Sequence, residues 1–163
     1  MEINNKIQAL ILLGANLGDV KKTFIYAINE LKRISDICKQ SSLYLSRSWG
    51  FEAPDFLNQA IIIETDLTPQ ELMDKLLNIE KKLGRIREGE GYQSRTLDMD
   101  IILIKEMIIN MESLIVPHPK MHERKFVLVP CCEIAPEWQH PRFKKSISEL
   151  LEMCGDSTNP KAI

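Results

Sequence analysis

The stretch that decides the fold is Arg95-Thr-Leu-Asp98-Met-Asp100-Ile-Ile-Leu-Ile104, in which two carboxylates lead directly into an apolar run. The run has the length of a buried β-strand, and alternate residues of a strand point to the same face of a sheet. Asp98 and Asp100 therefore share one face, with about 7 Å between their Cα atoms at ~3.3 Å rise per residue. The side chains predicted for the opposite face are Leu97, Met99, Ile101 and Leu103.

Two carboxylates at the edge of a predicted core are energetically costly, because like charges repel and resist desolvation. A divalent cation bound between them would remove both costs. Arg95 precedes Asp98 by three residues, and an arginine beside paired oxygen ligands favours a magnesium and phosphate site. The pair also permits a structural interpretation, in which one carboxylate caps a turn and the other faces water.

The composition is that of an ordinary globular chain, with 163 residues, 44% hydrophobic and 27% charged. This length suits a single domain over residues 1–163 with a proper core. The net charge of -2 favours neither nucleic acid nor a membrane surface as a partner. No apolar run approaches the ~20 residues that span a bilayer, and the first residues lack the pattern of an export signal.

The cysteines Cys38, Cys131, Cys132 and Cys154 lack the spacing of metal ligands. Without an export signal they are expected to be reduced thiols, which predicts a cytoplasmic location. We expect small molecules as partners and a monomeric chain.

The first half of the chain contains short apolar runs and one amphipathic helix. Residues 9–13 form an apolar run that ends at Gly14 and predicts a buried strand. Asp19 is the predicted N-cap of a helix. The apolar positions of this helix recur at three and four residues and are Phe24, Ala27, Ile28 and Leu31. Residues 41–47 and 58–66 are predicted strands, joined by a loop that contains Gly and Pro.

The second predicted helix has the clearest boundaries. Thr68-Pro-Gln-Glu71 is a capping box with proline in the first turn, and Gly84 supplies the stop. The apolar residues of this helix are Leu72, Leu76, Ile79 and Leu83. Residues 85–94 are predicted to form a polar, mobile loop, and residues 106–117 a turn and a short strand. A second capping box, Ser146-Ile-Ser-Glu149, opens a short C-terminal helix.

The order of these elements predicts the fold class. A strand, a helix, two strands, a helix and a strand are followed by an appendage. This order matches a split β-α-β arrangement of the α+β class, with an antiparallel sheet backed by helices.

Three arginines lie in or directly after the predicted loop that precedes the aspartates, namely Arg85, Arg87 and Arg95. Guanidinium groups bind phosphate oxygens in a fork geometry. On a glycine-containing loop they can close over a polyphosphate and exclude water. The alternative is a solvated surface loop whose arginines keep the chain soluble. A P-loop is excluded, because Gly14-Ala-Asn-Leu-Gly18 lacks the Gly-Lys-Ser/Thr ending.

Further side chains are candidates for ligand contacts. His118 is flanked by two prolines and is either a turn residue or a contact to phosphate. Phe56 and Asn58 occupy alternate positions, so an aromatic ring and an amide share one strand face. Phe126 follows Arg124 by two residues. Aromatic faces with an amide can hold a flat heterocycle, although each phenylalanine taken singly is more often a core residue.

Several motifs of the chain coincide with those of one family. The motifs are Gly14-Ala-Asn16-Leu17, Pro54-Asp-Phe-Leu-Asn58, Gly84-Arg85, Arg95-Thr-Leu-Asp98-Met-Asp100-Ile101, Val116-Pro-His118, Arg124-Lys-Phe126 and Glu133-Ile-Ala-Pro136. Through them, nearly the whole chain resembles 6-hydroxymethyl-7,8-dihydropterin pyrophosphokinase, an enzyme family of the folate pathway. The aspartate motif and the Val-Pro-His motif are specific in combination.

The resemblance implies a ferredoxin-like β-α-β-β-α-β fold and a magnesium-dependent pyrophosphokinase. Such an enzyme transfers the pyrophosphoryl group of ATP to the hydroxymethyl group of the pterin and yields AMP and the pterin pyrophosphate. ATP would be the co-substrate, and Asp98 and Asp100 would bind two Mg²⁺ ions along the triphosphate. Both aspartates would be catalytic, together with Arg85 and Arg95, which would neutralise phosphate charge.

By the same resemblance, two groups of residues would bind the substrates. The nucleotide would be contacted by Glu80, Arg85, Arg95, Ile101, His118 and Arg124. The pterin would be contacted by Asn16, Ser46, Trp49, Phe56, Asn58, Tyr92 and Phe126. The two phenylalanines would flank the ring, and Asn58 would bond its edge.

The sequence departs from the commoner pattern of this family at three places. Gly91-Tyr-Gln-Ser94 stands where Arg-Trp-Gly-Pro is common, so Tyr92 would replace the tryptophan and an arginine contact is lost. Pro119 stands where a tyrosine is frequent. Ser48-Trp49 replaces a proline-rich piece beside the pterin site. These changes would affect rate and affinity rather than the type of reaction.

Two other functions fit parts of the pattern. A catalytically inactive ferredoxin-like domain could bind the nucleotide or the pterin, but the retention of Arg95, Asp98, Asp100 and His118 argues against it. A nucleotidyl or glycosyl transferase could also use Asp-x-Asp for metal. A chain of 163 residues leaves little room for the larger second substrate of such an enzyme.

Overall fold

The fold is organised around an antiparallel sheet whose central strand is β1 (Ile7–Ala15). The structure, a computed structural model, describes residues 5–47, 55–83 and 97–163. The other elements, in chain order, are α1 (Val20–Lys32), β2 (Asp36–Gln40), β3 (Tyr44–Ser46), β4 (Phe56–Thr65), α2 (Pro69–Lys82), β5 (Asp98–Ile104), β6 (Ile109–Met111), β7 (Leu114–Val116), a 3₁₀ turn (Met121–Glu123), α3 (Lys125–Ile134), β8 (Gln139–His140), β9 (Lys145–Ser146), α4 (Ile147–Met153) and β10 (Lys161–Ala162).

The strand order confirms the predicted fold class. β1 pairs antiparallel with β4 on one side and with β5 on the other. β2 and β3 pair with successive parts of β4, and β10 extends the sheet beyond β3. Without β10, the order from the β2 and β3 edge through β4 and β1 to β5 is that of a ferredoxin-like fold. β6 with β7 and β8 with β9 form two separate hairpins.

The strand predicted over residues 41–47 has the wrong boundaries. At this edge of the sheet the chain forms two strands, β2, which begins at Asp36, and β3, which begins at Tyr44. Ser41 lies between the two parts and bonds β4 with both its backbone and its side chain. Its N–H donates to Ala60 O at 2.8 Å, and its Oγ accepts from Ala60 N–H at 2.9 Å. Because Ala60 N–H donates to this hydroxyl and not to a backbone carbonyl, the regular pattern of backbone hydrogen bonds between the edge and β4 is interrupted at Ser41.

Helices cover both faces of the sheet, so the core has two parts. On one face α1 and α2 pack against the sheet through buried side chains that include Phe24, Leu31, Leu72 and Leu76. On the other face α3 and α4 contribute Leu128, Cys131, Ile147 and Leu150. Successive residues of β1 alternate between the two parts, which is why nearly every side chain of this strand is buried.

Helix α3 is absent from the expectations drawn from the sequence. Pro130 lies inside it, and a proline normally breaks a helix because it lacks a backbone N–H and its ring clashes with the preceding turn. The helix nevertheless continues to Ile134, with Val127, Leu128 and Cys131 buried. Packing against the sheet therefore outweighs the local preference.

A β-bulge in β5 changes the predicted alternation of its side chains. The register with β1 shifts at Ile102, which is the extra residue. Before the bulge, Met99 and Ile101 face α1 and α2 as predicted, but Leu103 beyond it faces α3 and α4. The expectation that Leu103 shares the face of Met99 is therefore wrong, because a bulge resets the period-two pattern.

The predicted helix starts are confirmed by their side-chain caps. The Asp19 carboxylate accepts from Lys22 N–H at the start of α1. Capping boxes start α2 and α4 and consist of Thr68 with Glu71 and of Ser146 with Glu149. The predicted stop at Gly84 lies outside the described residues.

The described residues include no helix that is both long and apolar enough to cross a membrane. All four cysteines are free thiols. Cys131 is fully buried, which raises the pKa of its thiol and keeps it protonated.

Leu128→Ala tests the contribution of the second helical layer. Leu128 is fully buried, so the cavity should lower the free energy of unfolding by about 2–5 kcal/mol. Ile25→Ala is the matched control, because Ile25 on α1 is 60% exposed; its change should stay within about 0.5 kcal/mol. Urea denaturation followed by circular dichroism measures both values, and equal effects would contradict the burial of Leu128.

Candidate active site

The candidate site lies where the end of β1 meets the first residues of β4 and β5. Gly14 is paired with Asn58 on one side and with Asp98 on the other. Paired residues of neighbouring strands point to the same face, so Asn58, Gly14 and Asp98 form one row across the sheet, here called the site row. Asp100 lies opposite Leu12 in the next row.

The site row lies on the face of the sheet that α3 and α4 cover. Leu12, in the next row, belongs to the core on that face. Met99, between the two aspartates, is fully buried on the opposite face. Asp98 is partly buried and Asp100 is exposed, so both carboxylates lie at the solvent end of the α3 and α4 core. The predicted common face of the two aspartates is confirmed.

His118 is held beside β5 by its backbone. Its N–H donates to Ile102 O at 2.8 Å, and its Nδ1 accepts from Lys120 N–H at 3.2 Å. Burial lowers the pKa of His118; Asp100 opposes this effect, and Arg124 and Lys120 add to it. The ring is therefore mostly neutral at pH 7, with its proton on Nε2. In this form Nε2–H can donate to an anionic oxygen.

Arg124 and Phe126 flank the first residue of α3. Arg124 is the N-cap, and its guanidinium carbon lies 5.6 Å from the ring centroid of Phe126, in a cation–π contact. Both residues are partly buried. Arg124 also lies within electrostatic range of His118. A cation, an imidazole and an aromatic ring thus occupy the same side of the sheet as the site row.

Asn58 occupies the space that Gly14 leaves open. Asn58 Nδ2 donates to Leu13 O at 3.2 Å, and a Cβ on residue 14 would lie 2.8 Å from that nitrogen. A side chain at position 14 is therefore incompatible with this position of the amide. Among the described residues, Asn58 Oδ1 is buried without a hydrogen-bond partner, which favours a ligand that donates to it.

Ser46 and Phe56 lie beside Asn58 at the edge of the sheet. They are paired with each other across β3 and β4, two positions from the pair of Tyr44 and Asn58. Ser46 Oγ is buried and has no partner within the part of the chain that the structure describes. Asn16, directly beyond β1, is also buried. Polar groups and an aromatic ring therefore gather at the Asn58 end of the site row.

Comparison with known proteins gives the family of the chain. Residues 10–136 match the family model of 7,8-dihydro-6-hydroxymethylpterin-pyrophosphokinase, HPPK. The chain belongs to the HPPK family. A relative from Synechocystis sp. is named 2-amino-4-hydroxy-6-hydroxymethyldihydropteridine pyrophosphokinase; it is 42% identical over 146 residues, which cover 88% of this chain and 74% of the relative. A relative of the same name from Haemophilus influenzae is 38% identical over 153 residues, covering 92% and 94% of the two chains.

Solved structures of HPPK-DHPS from Plasmodium falciparum share the fold. One of them has a TM-score of 0.73 at 14% sequence identity and covers 93% of this chain and 46% of its own. The chain thus spans about half the length of that larger protein. At this identity the similarity supports the fold alone.

Two residues that the HPPK resemblance relates to the nucleotide lie largely inside the protein. Glu80 on α2 is 5% exposed, and its Oε1 accepts from Met99 N–H at 2.8 Å. This bond joins α2 to the strand that carries both aspartates. Ile101 is 4% exposed in the core under α1 and α2, so a contact with adenine would come from its main chain. Both nucleotide contacts stay predictions.

Four predicted site residues of the HPPK pattern lie outside the described residues, namely Trp49, Arg85, Tyr92 and Arg95. The departure at Gly91 lies there as well. Within the described ranges, no group of three or more His, Cys, Asp or Glu side chains is arranged to hold a metal ion. Asp98 and Asp100, the predicted metal ligands, are both among the described residues, and their binding of metal stays a prediction.

Glu133 makes two hydrogen bonds that the sequence does not predict. Its carboxylate accepts from Ser42 N–H at 2.9 Å and from the Tyr44 hydroxyl at 2.6 Å. Burial and the hydrogen bond to Glu133 raise the pKa of Tyr44 to about 12, so its phenol remains a donor. These bonds attach the end of α3 to the chain just before Ser46. The sequence signals at this position are a glutamate in an apolar segment and the Glu133-Ile-Ala-Pro136 motif, to which no contact is assigned.

Gly14→Ala should lower the free energy of unfolding by about 1–3 kcal/mol, because the new Cβ displaces the Asn58 amide from Leu13 O. The same substitution in an Asn58→Ala background should have a smaller effect, since the group that it meets is gone. A double-mutant cycle from urea unfolding curves measures the coupling. Equal effects in the two backgrounds would show that residues 14 and 58 do not interact.

Proposed function

We propose that this chain transfers the pyrophosphoryl group of ATP to the hydroxymethyl group of 6-hydroxymethyl-7,8-dihydropterin, a step of folate biosynthesis. Membership of the HPPK family and the names of its relatives support this reaction. The observation that carries the assignment of residues is the site row. It has an amide with an unused acceptor at one end, a carboxylate at the other and a glycine between them.

The dimensions of the site row suit the proposed pair of substrates. Neighbouring strands are ~4.8 Å apart, so the Cα atoms of Asn58 and Asp98, two strands apart, are separated by about 10 Å. A pterin whose ring edge bonds Asn58 Oδ1 would extend past this amide along the row and bring its hydroxymethyl group toward Asp98. A side chain at position 14 would displace the Asn58 amide from the position in which it can bond the pterin.

The Asn58 end of the row would bind the pterin. Asn58 Oδ1 can accept from the ring N–H or the amino group of the heterocycle, and Ser46 Oγ offers a second polar contact. Phe56 and Phe126 supply aromatic faces against which a flat ring can stack. Desolvation of these buried polar atoms is offset only when a ligand bonds them, which favours a polar heterocycle over an apolar one.

The Asp98 end of the row would bind the phosphates of ATP. His118 Nε2–H and the Arg124 guanidinium are donors on this side of the sheet. Arg85 and Arg95 would add two cations, as the sequence predicts. Donors of this kind bind phosphate oxygens more strongly than neutral groups do, because the bonds are charge-assisted.

The donor set at Asp98 and Asp100 fits magnesium ions that are bound together with the nucleotide. Mg²⁺ is usually held by one or two carboxylates, with substrate phosphates and waters as its other ligands. The two aspartates offer carboxylates on one face at the solvent end of the core, and we assign two ions to them. When bound, magnesium supplies charge neutralisation on the triphosphate and at the leaving oxygen of AMP.

The reaction forms one P–O bond and breaks another. The hydroxymethyl oxygen attacks the β-phosphorus, the bond from that phosphorus to the oxygen of AMP breaks, and the alcohol proton is released. Such transfers depend on alignment and charge stabilisation more than on covalent catalysis. The site row would align the alcohol, and His118 and Arg124 would stabilise phosphate charge. Asp98 in the site row and Asp100 in the next row are the two carboxylates that would be available to accept the proton.

Asp98→Ala and Asp100→Ala should each lower kcat by about 10²-fold or more, because each removes a ligand of the magnesium ions that would neutralise the phosphates. Folding should stay intact, since Asp100 is exposed and Asp98 only partly buried. Release of AMP, followed by chromatography at saturating ATP and pterin, measures the effect. Turnover like that of the wild type in either variant would overturn the metal assignment.

The matched control for these variants is Asp36→Ala. Asp36 is an exposed strand aspartate that pairs with Glu64 at the opposite end of the sheet. Its ion pair with Lys6 at 3.6 Å is on the surface and has little effect on stability. AMP release by this variant should equal that of the wild type.

The proposed reaction is tested with ATP, Mg²⁺ and 6-hydroxymethyl-7,8-dihydropterin. AMP should form only when the pterin is present, and EDTA should abolish its formation until excess Mg²⁺ is restored. Formation of ADP, or no dependence on the pterin, would refute the reaction. Binding of both substrates without turnover would instead favour an inactive binding domain.

A further inference from the structure

Residues 154–163, here called the strap, connect two sides of the proposed pterin site. The strap follows α4 and begins at Cys154, which packs against the core under α3 and α4. Pro160 is buried, and the strap then ends along β3 as strand β10. Between these points it is bonded to the first residue of α3.

The first attachment of the strap is a carboxylate that caps α3. Asp156 Oδ2 accepts from Lys125 N–H at 3.0 Å, and Oδ1 accepts from Thr158 N–H at 2.8 Å. The N-cap residue, Arg124, makes no side-chain cap of its own, so Asp156 supplies an acceptor that the helix start needs. Burial acts to raise the pKa of Asp156, but the hydrogen bonds from Thr158 and Lys125 outweigh it and lower the pKa.

The second attachment is a strand pairing. β10 pairs antiparallel with β3, and just beyond it Ile163 N–H donates to Leu43 O at 3.0 Å. Without β10, the short strand β3 would be the edge of the sheet beside β4 and would be bonded on one side only. The strap therefore fixes the strand that carries Ser46 and lies against Asn58.

Both attachments are next to residues that the proposed function uses. Lys125, which Asp156 bonds, lies between Arg124 and Phe126 in the chain. Fraying of this first turn would release the ring of Phe126 and the guanidinium stacked on it. At the other attachment, β3 carries Ser46, whose buried Oγ faces the same end of the site row. The strap thus joins the aromatic side of the site to its polar side.

We propose that the strap sets the spacing between the two sides of the pterin site and that Asp156 is a positioning residue for pterin binding. This inference rests on the proposed function. Asp156 acts through Lys125 on the orientation of Phe126, without touching a substrate. Loss of its carboxylate would loosen the first turn of α3 and weaken pterin binding while the rest of the fold stays intact.

Equilibrium binding of 6-hydroxymethylpterin tests the proposal without turnover. The titration contains Mg²⁺ and α,β-methylene-ATP. In this analogue a methylene group replaces the oxygen between the α- and β-phosphorus atoms, so the transfer cannot take place. Asp156→Ala should raise the Kd of the pterin by about tenfold, as small displacements of positioning groups do. Asp156→Asn keeps one acceptor oxygen for two N–H donors and should give a smaller increase. Isothermal titration calorimetry measures each Kd.

Glu149→Ala is the matched control for Asp156→Ala. Glu149 is also a carboxylate that accepts from a backbone N–H at a helix start, that of Ser146, but it caps α4. A purely structural role for Asp156 would make both variants lower the Tm and leave the pterin Kd unchanged. The proposal predicts that only the Asp156 variants change the Kd, with circular dichroism at the assay temperature like that of the wild type.

Deletion of residues 161–163 tests the second attachment, even if Asp156→Ala fails to fold. These residues are exposed, so the deletion should leave the fold intact and raise the pterin Kd. If the wild type binds the pterin and neither variant changes the Kd, the strap has no positioning role. If the wild type itself does not bind the pterin, the proposed function fails, and the inference that rests on it fails too.

Discussion

The pairing of Gly14 with Asn58 and with Asp98 is the constraint on which the site depends. A slip of one residue in either pairing would turn every side chain of that strand to the other face. Both helical layers oppose such a slip, because each face of β1 is buried and the slip would exchange its two sets of apolar contacts. The energy that fixes the polar geometry of the site therefore comes from the apolar core around it.

The bulge at Ile102 changes which helical layer the last residues of β5 contact. Asp98 and Asp100 precede it, so their common face does not depend on it. With the bulge, Ile102 and Leu103 both enter the core under α3 and α4. Ile102 O at this edge of the sheet accepts from His118 N–H at 2.8 Å, and His118 lies within electrostatic range of Asp100.

The sequence predicts correctly those features that depend only on residues close together in the chain. The capping box at Thr68 and the common face of Asp98 and Asp100 follow from spacing alone. Helix α3 and the contact of Asn58 with Gly14 depend on partners that are distant in the sequence. Pro130 argues locally against a helix, and only packing against the sheet reverses that preference. Periodicity likewise gives no sign of a bulge, because the extra residue is itself apolar.

Helix α3 determines the shape of the site because its two ends are bonded to different parts of the chain. At its first residue, the backbone N–H of Lys125 is bonded to Asp156. Near its last residue, Glu133 accepts from Ser42 N–H, just before β3, and from the hydroxyl of Tyr44, the first residue of β3. A slide or rotation of α3 along the sheet would break bonds to a carboxylate at both ends, and such bonds are stronger than neutral ones. The two attachments therefore oppose a movement of α3 along the sheet.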